Sequence, residues 1–252
     1  MVRQAAREPD DVHHPTRHRC HAALHHLAEP GGLAMSETLP GARHLPVAPL
    51  AGNALIEAFR SRAVANISDN LERLSAAVGL RPFHTGGTLA GTALTVRTRP
   101  GDNLALHQAL DLIRPGYVLV VDGGGDVSRA LIGEIMKAVA QSRGCVGFVV
   151  DGAIRDADAF ARDAFPCFAR AAIHAGPYKF GPGEINVPVS IGGMVVNPGD
   201  IVVGDADGVV AFPAEVGPAL LEATIRQEGK EATMLRTIAD GTYTGSYGKA
   251  GA

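Results

Sequence analysis

The chain has 252 residues, of which 46% are hydrophobic and 19% charged, so it can bury a sizeable core and is not disordered throughout. Its 23 Lys and Arg side chains nearly balance its 26 Asp and Glu, giving a formal net charge of −3 and no reason to expect nucleic acid or an anionic membrane as a partner. Three cysteines (Cys20, Cys145 and Cys167) cannot form a disulfide framework, and no apolar run reaches the roughly 18 residues of a membrane span. These features predict a cytoplasmic protein.

The first 45 or so residues differ from the rest, because they hold most of the ten histidines and show no sustained apolar period. A histidine tract that binds metal and an arginine-rich targeting peptide are open interpretations, although acidic residues are unusual in the latter. We expect a disordered leader instead, upstream of an optional internal start at Met35. The predicted organisation is a leader over 1–45, an α/β domain over 46–212, and a C-terminal helix and tail over 213–252.

Regular patterns begin near Ala51. Apolar residues at helical spacing predict helices over 53–62, 68–79 (with Ser68 or Asp69 as N-cap), 101–113 (opened by Asp102), 128–144, 156–163 and 213–238. Alternating or continuous apolar runs predict strands over 88–100, 116–126, 145–152 and 165–172, and several short strands joined by tight turns over 185–213. We therefore predict one α/β domain with a mixed sheet, a βαβ core, a β-rich C-terminal part and a C-terminal helix.

A ligand site is predicted at the carboxyl ends of the two strands that flank the helix in the βαβ unit over 117–156, since ligands of open α/β sheets bind there. Both strands end in Asp-Gly, at Asp122 and Asp151. The candidate polar side chains in or near the two loops are Asp122, Asp126, Ser128, Arg129, Glu134, Arg155 and Asp156.

The chemistry of this set favours a small anionic substrate beside a divalent cation. Carboxylates are hard oxygen donors that suit Mg2+ or Mn2+. The planar guanidinium of Arg155 can hold a carboxylate through two charge-assisted hydrogen bonds. Backbone N–H groups of the Gly123–Gly125 loop, or around Ile132–Glu134, could bind the same anion. A metal and an arginine together suit a 2-oxo acid, whose enolate the metal would stabilise.

Structural interpretations of the same residues remain open. Asp156 could be an N-cap, Glu134 could pair with Lys137 one turn later, and Asp122 could be a turn residue. We expect His107 and His174 to be packing or surface residues and Cys145 and Cys167 to be inert core thiols. The strand–Gly-Gly-Gly run also resembles a glycine-rich loop of methyltransferases or dinucleotide folds, but Ser128 stands where the dinucleotide motif needs glycine.

Three stretches of this region together resemble one known family: Gly133–Ala138, Arg143–Gly147 and Val150–Asp156. They place Arg155-Asp156 after Glu134 with 20 residues between Glu134 and Arg155, an acid-x20-Arg-Asp arrangement. The arrangement resembles the class II pyruvate aldolases acting on 4-hydroxy-4-methyl-2-oxoglutarate and 4-carboxy-4-hydroxy-2-oxoadipate, a family that also contains the ribonuclease regulator RraA. The resemblance extends over about 67–212, including Gly101–Ala105 and Gly181–Val189.

The resemblance implies a role for each site residue. Asp156 is the protein ligand of Mg2+ or Mn2+, and Glu134 holds a water of the metal's shell. Arg155 binds the substrate carboxylate and keto oxygen, helped by backbone N–H groups of Leu131, Ile132, Gly133 and Glu134. Relatives are trimers or hexamers with sites between subunits, and a glutamate of the neighbour's C-terminal helix, here Glu228 or Glu231, completes the site.

The resulting functional expectation is retro-aldol cleavage of a 4-hydroxy-2-oxo acid with release of pyruvate. Oxaloacetate decarboxylation passes through the same enolate and is expected as a side or even main activity. The alternative is a non-catalytic regulator that binds a ribonuclease. The long C-terminal helix favours the enzyme, because the regulators are typically shorter.

Overall fold

The computed structural model describes residues 39–74 and 76–245. Their helices are α1 (Asn53–Arg60), α2 (Val64–Asp69), α3 (Leu104–Leu110), α4 (Glu134–Ser142), α5 (Ala157–Ala161) and α6 (Gly217–Ala239), the last preceded by a 3₁₀ turn over Ala214–Val216. Their strands are β1 (Arg81–Pro82), β2 (Leu89–Thr98), β3 (Tyr117–Asp122), β4 (Ala130–Ile132), β5 (Gly147–Ile154), β6 (Cys167–Ala172), β7 (Gly183–Ile185), β8 (Val189–Ile191), β9 (Met194–Val196), β10 (Ile201–Asp205) and β11 (Gly208–Phe212). None of these helices is both long and apolar enough to cross a bilayer.

The strands form one large mixed sheet in the order β1-β6-β5-β3-β2-β10-β11, with β4 beside β5 and β7 beside β2. Strands β2, β3, β5 and β6 run parallel, whereas β10 and β11 join antiparallel. A separate hairpin, β8–β9, lies outside this sheet. The predicted α/β class with a mixed sheet, a βαβ core and a β-rich C-terminal part is confirmed.

The parallel strands are continuous apolar runs because both faces of the sheet are covered. In β3, Leu119 and Val121 face the layer that contains α3 and α4, whereas Val118 and Val120 face the β8–β9 hairpin. A third cluster packs α1, α2 and α6 against β10 and β11, with the rings of Phe59 and Phe212 4.9 Å apart. The sheet is thus held rigid on both sides of the loops at its carboxyl ends.

The second helix was predicted wrongly. The pattern indicated 68–79, but α2 spans Val64–Asp69 and turns follow it. The apolar side chains that pack are Val64 and Ile67, which lie before the predicted start, whereas Leu74 is 87% exposed. Glu72 and Arg73 have positive φ angles (55° and 60°), so the helix cannot continue through them.

The helix predicted over 128–144 is also shorter than expected. Residues 130–132 form β4, which pairs in parallel with β5, and α4 begins only at Glu134. Leu131 is therefore a strand residue rather than part of the apolar helix face. The extended backbone of Gly133 (φ −143°, ψ −172°) separates the two elements.

The domain begins before residue 46, where we placed its start. Residues 1–38 of the predicted leader lie outside the described residues, but Arg43 and Leu45 exchange backbone hydrogen bonds with Ile185 of β7. Arg43 Nε also donates to Glu184 Oε1 at 2.6 Å, and Arg97 Nη1 donates to Glu184 Oε2 at 3.0 Å. Burial raises the pKa of Glu184, but Arg43, a backbone N–H and Arg97 outweigh it, so the pKa lies below its ordinary value.

Glu184→Gln is expected to lower the free energy of unfolding at pH 7 by about 1–3 kcal/mol, because Glu184 is buried and accepts from two guanidinium groups. The folded pKa lies below that of the unfolded chain, so this stabilisation is complete above the ordinary glutamate pKa of about 4.3 and is lost as pH falls through the folded value. Denaturant unfolding of wild type and variant at pH 7 and near pH 3 measures the loss of stability and its dependence on pH. Glu222→Gln, an exposed control that pairs with Arg226, should change little. If wild type and Glu184→Gln differed in free energy of unfolding by the same amount at both pH values, the prediction would be contradicted.

Candidate active site

The candidate active site forms where β4 and β5 end side by side. Parallel pairing places Ile132 opposite Ile154, and the Arg155 N–H donates to the Ile132 carbonyl at 2.9 Å. The next residues of the two strands are therefore neighbours, although about 20 positions separate them in sequence. This register brings Gly133-Glu134 against Arg155-Asp156, as the predicted site requires.

Asp156 is held in a strained conformation with its side chain turned towards α4. Its φ of 56° lies in the left-handed region, which non-glycine residues adopt rarely and which concentrates at functional sites. The Glu134 N–H donates to Asp156 Oδ2 at 2.9 Å, and Arg155 Nε lies 3.6 Å from the same oxygen. Asp156 occupies the N-cap position of α5, as one interpretation of the sequence expects, but its side chain makes no capping hydrogen bond to that helix.

Glycine is required at position 133 because Arg155 and Asp156 lie too close to it to leave room for a side chain. A Cβ atom there would lie 2.5 Å from Asp156 Oδ2 and 2.9 Å from both Cγ and Nε of Arg155. Any side chain at this position must displace the carboxylate or the guanidinium group. The glycine therefore permits the contact between the two chain segments.

Glu134 is the first residue of α4 and its carboxylate is exposed. Arg162 Nη2 donates to Glu134 Oε1 at 3.0 Å. The proposed pairing of Glu134 with Lys137 is wrong, because Lys137 is buried and donates instead to the Ala159 carbonyl and to Asp163. Arg162 was missed because it lies 28 positions from Glu134 and only the tertiary fold joins them.

A cavity of about 270 Å³ opens behind Arg155. It is lined by the polar residues Asn103, His107 and Lys179, by residues 130–133, and by the apolar residues Ile135, Met136 and Pro177. Asn103 is buried and its Nδ2 donates to the Leu131 carbonyl at 2.9 Å, while its Oδ1 has no hydrogen-bond partner. Burial, and after it the charge of Lys179, lowers the pKa of His107, so this ring is neutral at pH 7. The cavity is suited to a small anion.

Asp102 fastens the loop that carries Lys179. Its buried Oδ2 accepts hydrogen bonds from the N–H groups of Phe180 (2.8 Å) and Gly181 (3.0 Å), and its Oδ1 accepts from Leu104 (2.9 Å). Burial raises the pKa of Asp102, but these N–H groups outweigh it and leave the pKa below its ordinary value. Asp102 precedes α3 as predicted and also positions one wall of the cavity.

The other predicted polar residues have structural partners. Asp122 accepts from the N–H groups of Gly124 and Ser190, and Asp126 accepts from Ser128. Arg129 donates to the Gly176 carbonyl and to the Tyr178 hydroxyl. The turn interpretation of Asp122 is therefore confirmed.

The Gly123–Gly125 loop does not bind an anion through its backbone. The N–H groups of Gly123 and Gly125 both donate to the Asp151 carbonyl, and that of Gly124 donates to Asp122. The glycines instead permit a tight turn, with φ of 68° at Gly124 and 71° at Gly125.

Both histidines that were expected to pack or to lie at the surface border the site. His107 lines the cavity, and His174 lines an open depression together with Arg155 and Asp156. Cys145 and Cys167 are buried as expected, and burial raises the pKa of the Cys145 thiol to about 11, which keeps it protonated and unreactive.

Comparisons with known proteins show the family to which the chain belongs. The family described as "RraA-like: Aldolase/RraA" matches residues 64–211, more than half of the chain. The chain belongs to the aldolase/RraA family. A protein of Halalkalibacterium halodurans named "Putative 4-hydroxy-4-methyl-2-oxoglutarate aldolase" is 39% identical over 186 residues, which are 73% of this chain and 89% of that protein.

Two solved structures carry the same fold. The crystal structure of Streptomyces coelicolor RraAS2, described as an unusual member of the RNase ES inhibitor RraA protein family, has a TM-score of 0.68 at 26% identity and covers 74% of this chain and 98% of its own. The RNA-processing inhibitor RraA from Thermus thermophilis has a TM-score of 0.55 at 31% identity and covers 60% of this chain and 92% of its own. The aldolase/RraA family therefore spans aldolase-named and inhibitor-named members.

The two glutamates predicted to serve a neighbouring site of an aldolase/RraA oligomer lie on α6, against α2. Arg62 Nη1 donates to Glu228 Oε2 at 2.5 Å, which neutralises that carboxylate. Glu231 accepts from two neutral amides, Asn66 Nδ2 at 2.8 Å and Gln227 Nε2 at 3.0 Å. Neutral donors thus orient both oxygens of Glu231.

Gly133→Ala is expected to break the contact between Glu134 and Asp156 in this aldolase/RraA chain, because the new Cβ overlaps Asp156 Oδ2. A crystal structure of the variant should show that N–O distance beyond 3.5 Å while the sheet is unchanged. Gly229→Ala is the control, since nothing lies within 4 Å of a Cβ there. Because residue 229 is an exposed helix position, the Gly229→Ala protein should be about 0.5–1 kcal/mol more stable than the wild type. An unchanged Glu134–Asp156 bond in Gly133→Ala would refute the role given to Gly133.

Proposed function

We propose that this protein catalyses the divalent-metal-dependent retro-aldol cleavage of a 4-hydroxy-2-oxo acid of the 4-hydroxy-4-methyl-2-oxoglutarate type, releasing pyruvate. The observation that carries the proposal is the junction of β4 and β5, where Arg155, Asp156 and Glu134 meet and from which Arg155 also lines the cavity that contains Lys179. Two adjacent loops then hold the three groups that the reaction needs. They are a carboxylate for a cation (Asp156), a guanidinium for a 2-oxo acid (Arg155) and an exposed carboxylate for proton transfer (Glu134).

The residues fit a hard cation that keeps most of its waters. Among residues 39–74 and 76–245, no three His, Cys, Asp or Glu side chains form a complete metal site. Asp156 offers a half-exposed carboxylate, with Oδ2 fixed by the Glu134 N–H. Mg2+ is commonly bound through one or two carboxylates with water and substrate completing its octahedron, and Mn2+ suits the same oxygen donors. A cation bound at Asp156 would stabilise negative charge as it develops on the 2-oxo oxygen.

Arg155 holds the 2-oxo acid end of the substrate. Its guanidinium lies between the cavity and the open depression beside Asp156, and it can donate to both the carboxylate and the keto oxygen. Further donors would come from first-turn N–H groups of α4 beyond that of Glu134, which Asp156 already accepts, and from the adjoining backbone of Leu131–Gly133. These contacts align the C3–C4 bond for cleavage.

Glu134 moves the proton. Acting through a water, it accepts the proton of the C4 hydroxyl, and C4 becomes a carbonyl as the C3–C4 bond breaks. The bonding electrons pass to the 2-oxo group and produce the enolate of pyruvate, whose oxygen remains beside Arg155. Return of the proton to C3 gives pyruvate, and 4-hydroxy-4-methyl-2-oxoglutarate gives two pyruvates. Oxaloacetate loses carbon dioxide through the same enolate, so decarboxylation is part of the proposal.

The proposal includes a homo-oligomer, a trimer or hexamer, in which a neighbouring copy covers the open site. Ile135 (75% exposed) and Phe180 (81% exposed) are apolar side chains next to residues of the cavity, as expected of a surface that another subunit buries. Glu231 is the better candidate for the contributed acid, because Arg62 already neutralises Glu228.

The alternative function is that of a regulator that binds a ribonuclease, which the likeness to two inhibitor-named structures favours. The cavity lined by Arg155 and Lys179 beside the Asp156 carboxylate favours the enzyme, because binding a protein surface requires no such cavity.

Purified protein should release pyruvate from 4-hydroxy-4-methyl-2-oxoglutarate and from oxaloacetate with Mg2+ or Mn2+, and EDTA should abolish the release, as followed by coupling to lactate dehydrogenase. Asp156→Asn should reduce turnover by at least about 100-fold, because metal binding loses its charged ligand. Asp207→Asn is the matched control, an exposed aspartate in the turn between β10 and β11 that should leave turnover near wild type. Absence of metal-dependent pyruvate from both substrates would contradict the proposed function and favour the regulator.

A further inference from the structure

Lys137 is a buried lysine that the proposed chemistry does not use. Only 4% of the residue is exposed. Its ammonium group donates to the Ala159 carbonyl at 2.7 Å and to Asp163 Oδ2 at 2.7 Å. It also lies 5.2 Å from the ring centre of Phe160 and 5.9 Å from that of Phe165. Burying an ammonium group is costly unless its partners are well placed, so these contacts hold Lys137 in one position.

These contacts cap the C-terminal end of α5. A helix leaves its last four carbonyls without partners, and α5 has only five residues, so most of its carbonyls depend on such contacts. A positive charge at this end also complements the helix dipole. The hydrogen bond from Lys137 lowers the pKa of Asp163 and keeps its carboxylate charged. Lys137 therefore ties α5 and the following turn to α4.

The same pair of helices carries the two acids of the candidate site. Glu134 begins α4, one turn before Lys137, and Asp156 immediately precedes α5. At the site, the Glu134 N–H donates to Asp156 Oδ2. The exposed Arg162–Glu134 pair also joins the segments, but exposed pairs contribute little. The buried ammonium group is thus a polar link between the two helices behind the site, in addition to the pairing of β4 with β5 at the site itself.

We propose that Lys137 is a positioning residue, which fixes α5 against α4 and thereby sets the distance between Glu134 and Asp156. The proposal rests on the proposed function where it concerns metal binding. Lys137 itself does not contact the substrate or the cation. It acts through the Ala159 carbonyl and Asp163, at the opposite end of α5 from Asp156.

The Glu134 amide reports on this geometry without any ligand. It belongs to the first turn of α4, whose N–H groups have no acceptor within the helix, so Asp156 accounts for its hydrogen bond. Its hydrogen exchange should therefore accelerate when Asp156 moves away. Mn2+ affinity, measured by the signal of free Mn2+ in electron paramagnetic resonance, provides the second readout.

Lys137→Met keeps the length and packing of the side chain and removes the ammonium group. We expect about tenfold faster exchange of the Glu134 amide and an about tenfold larger dissociation constant for Mn2+, the lower end of effects seen when partners of metal ligands are removed. Asp163→Asn retains the bond from Lys137 to the Ala159 carbonyl and should change both readouts in the same direction by a smaller factor. It also serves as the test if Lys137→Met does not fold. Arg143→Met is the control, because Arg143 follows α4 and pairs with Asp111, away from α5.

A lower melting temperature of Lys137→Met with wild-type values for both readouts would overturn the proposal, because Lys137 would then contribute only stability. An effect as large in Arg143→Met would overturn it as well. If the wild type binds no Mn2+ but Lys137→Met accelerates exchange of the Glu134 amide, the positioning role is supported and the metal-dependent function fails.

Discussion

The candidate site depends on one hydrogen bond, from the Glu134 N–H to Asp156 Oδ2. It joins the ends of two parallel strands, and it needs Gly133 because any side chain there would overlap Asp156 or Arg155. It satisfies a helix N–H that would otherwise lack an acceptor, and it places a carboxylate where the helix dipole favours negative charge. In return, Asp156 adopts a left-handed backbone conformation, with a cost of order 1–3 kcal/mol.

Around this bond, buried and exposed charged residues have different roles. Behind it, Lys137 and Asp102 have fixed partners that hold α5 and the 176–181 loop in place. In front of it, Arg155 and Glu134 are exposed, so a ligand can reach both side chains. A site that must align a small acid for bond cleavage needs such rigid supports beneath its charged side chains.

Much of the fold and the centre of the site could be predicted from the sequence. The parallel strands are apolar runs of distinctive length, and the spacing between Glu134 and Arg155 identified the acids and the arginine that meet. Contacts between distant segments could not be predicted. The partners of Lys137 and Glu134, at Asp163 and Arg162, lie 26 and 28 positions away and only the packing of α4 on α5 brings them close.

Predictions from the local sequence were also wrong where one residue pattern fits two different structures. Residues 130–132 have apolar side chains that fit a helix face as well as a strand, and pairing with β5 decided for the strand. The glycines at 123–125 look like an anion-binding loop, yet their N–H groups are used by Asp151 and Asp122. In both cases the deciding hydrogen bonds come from another part of the chain.

The most direct test of the central claim is a titration of the purified protein with Mn2+ in the presence and absence of oxalate, a planar dianion that resembles the enolate of pyruvate. If the cation at Asp156 and the guanidinium of Arg155 hold one 2-oxo acid together, oxalate should tighten Mn2+ binding by at least about tenfold through mutual stabilisation. Arg155→Lys should lose most of that gain while still binding Mn2+ alone, because the planar fork is lost. Mn2+ binding that is absent, or that oxalate leaves unchanged, would contradict the account.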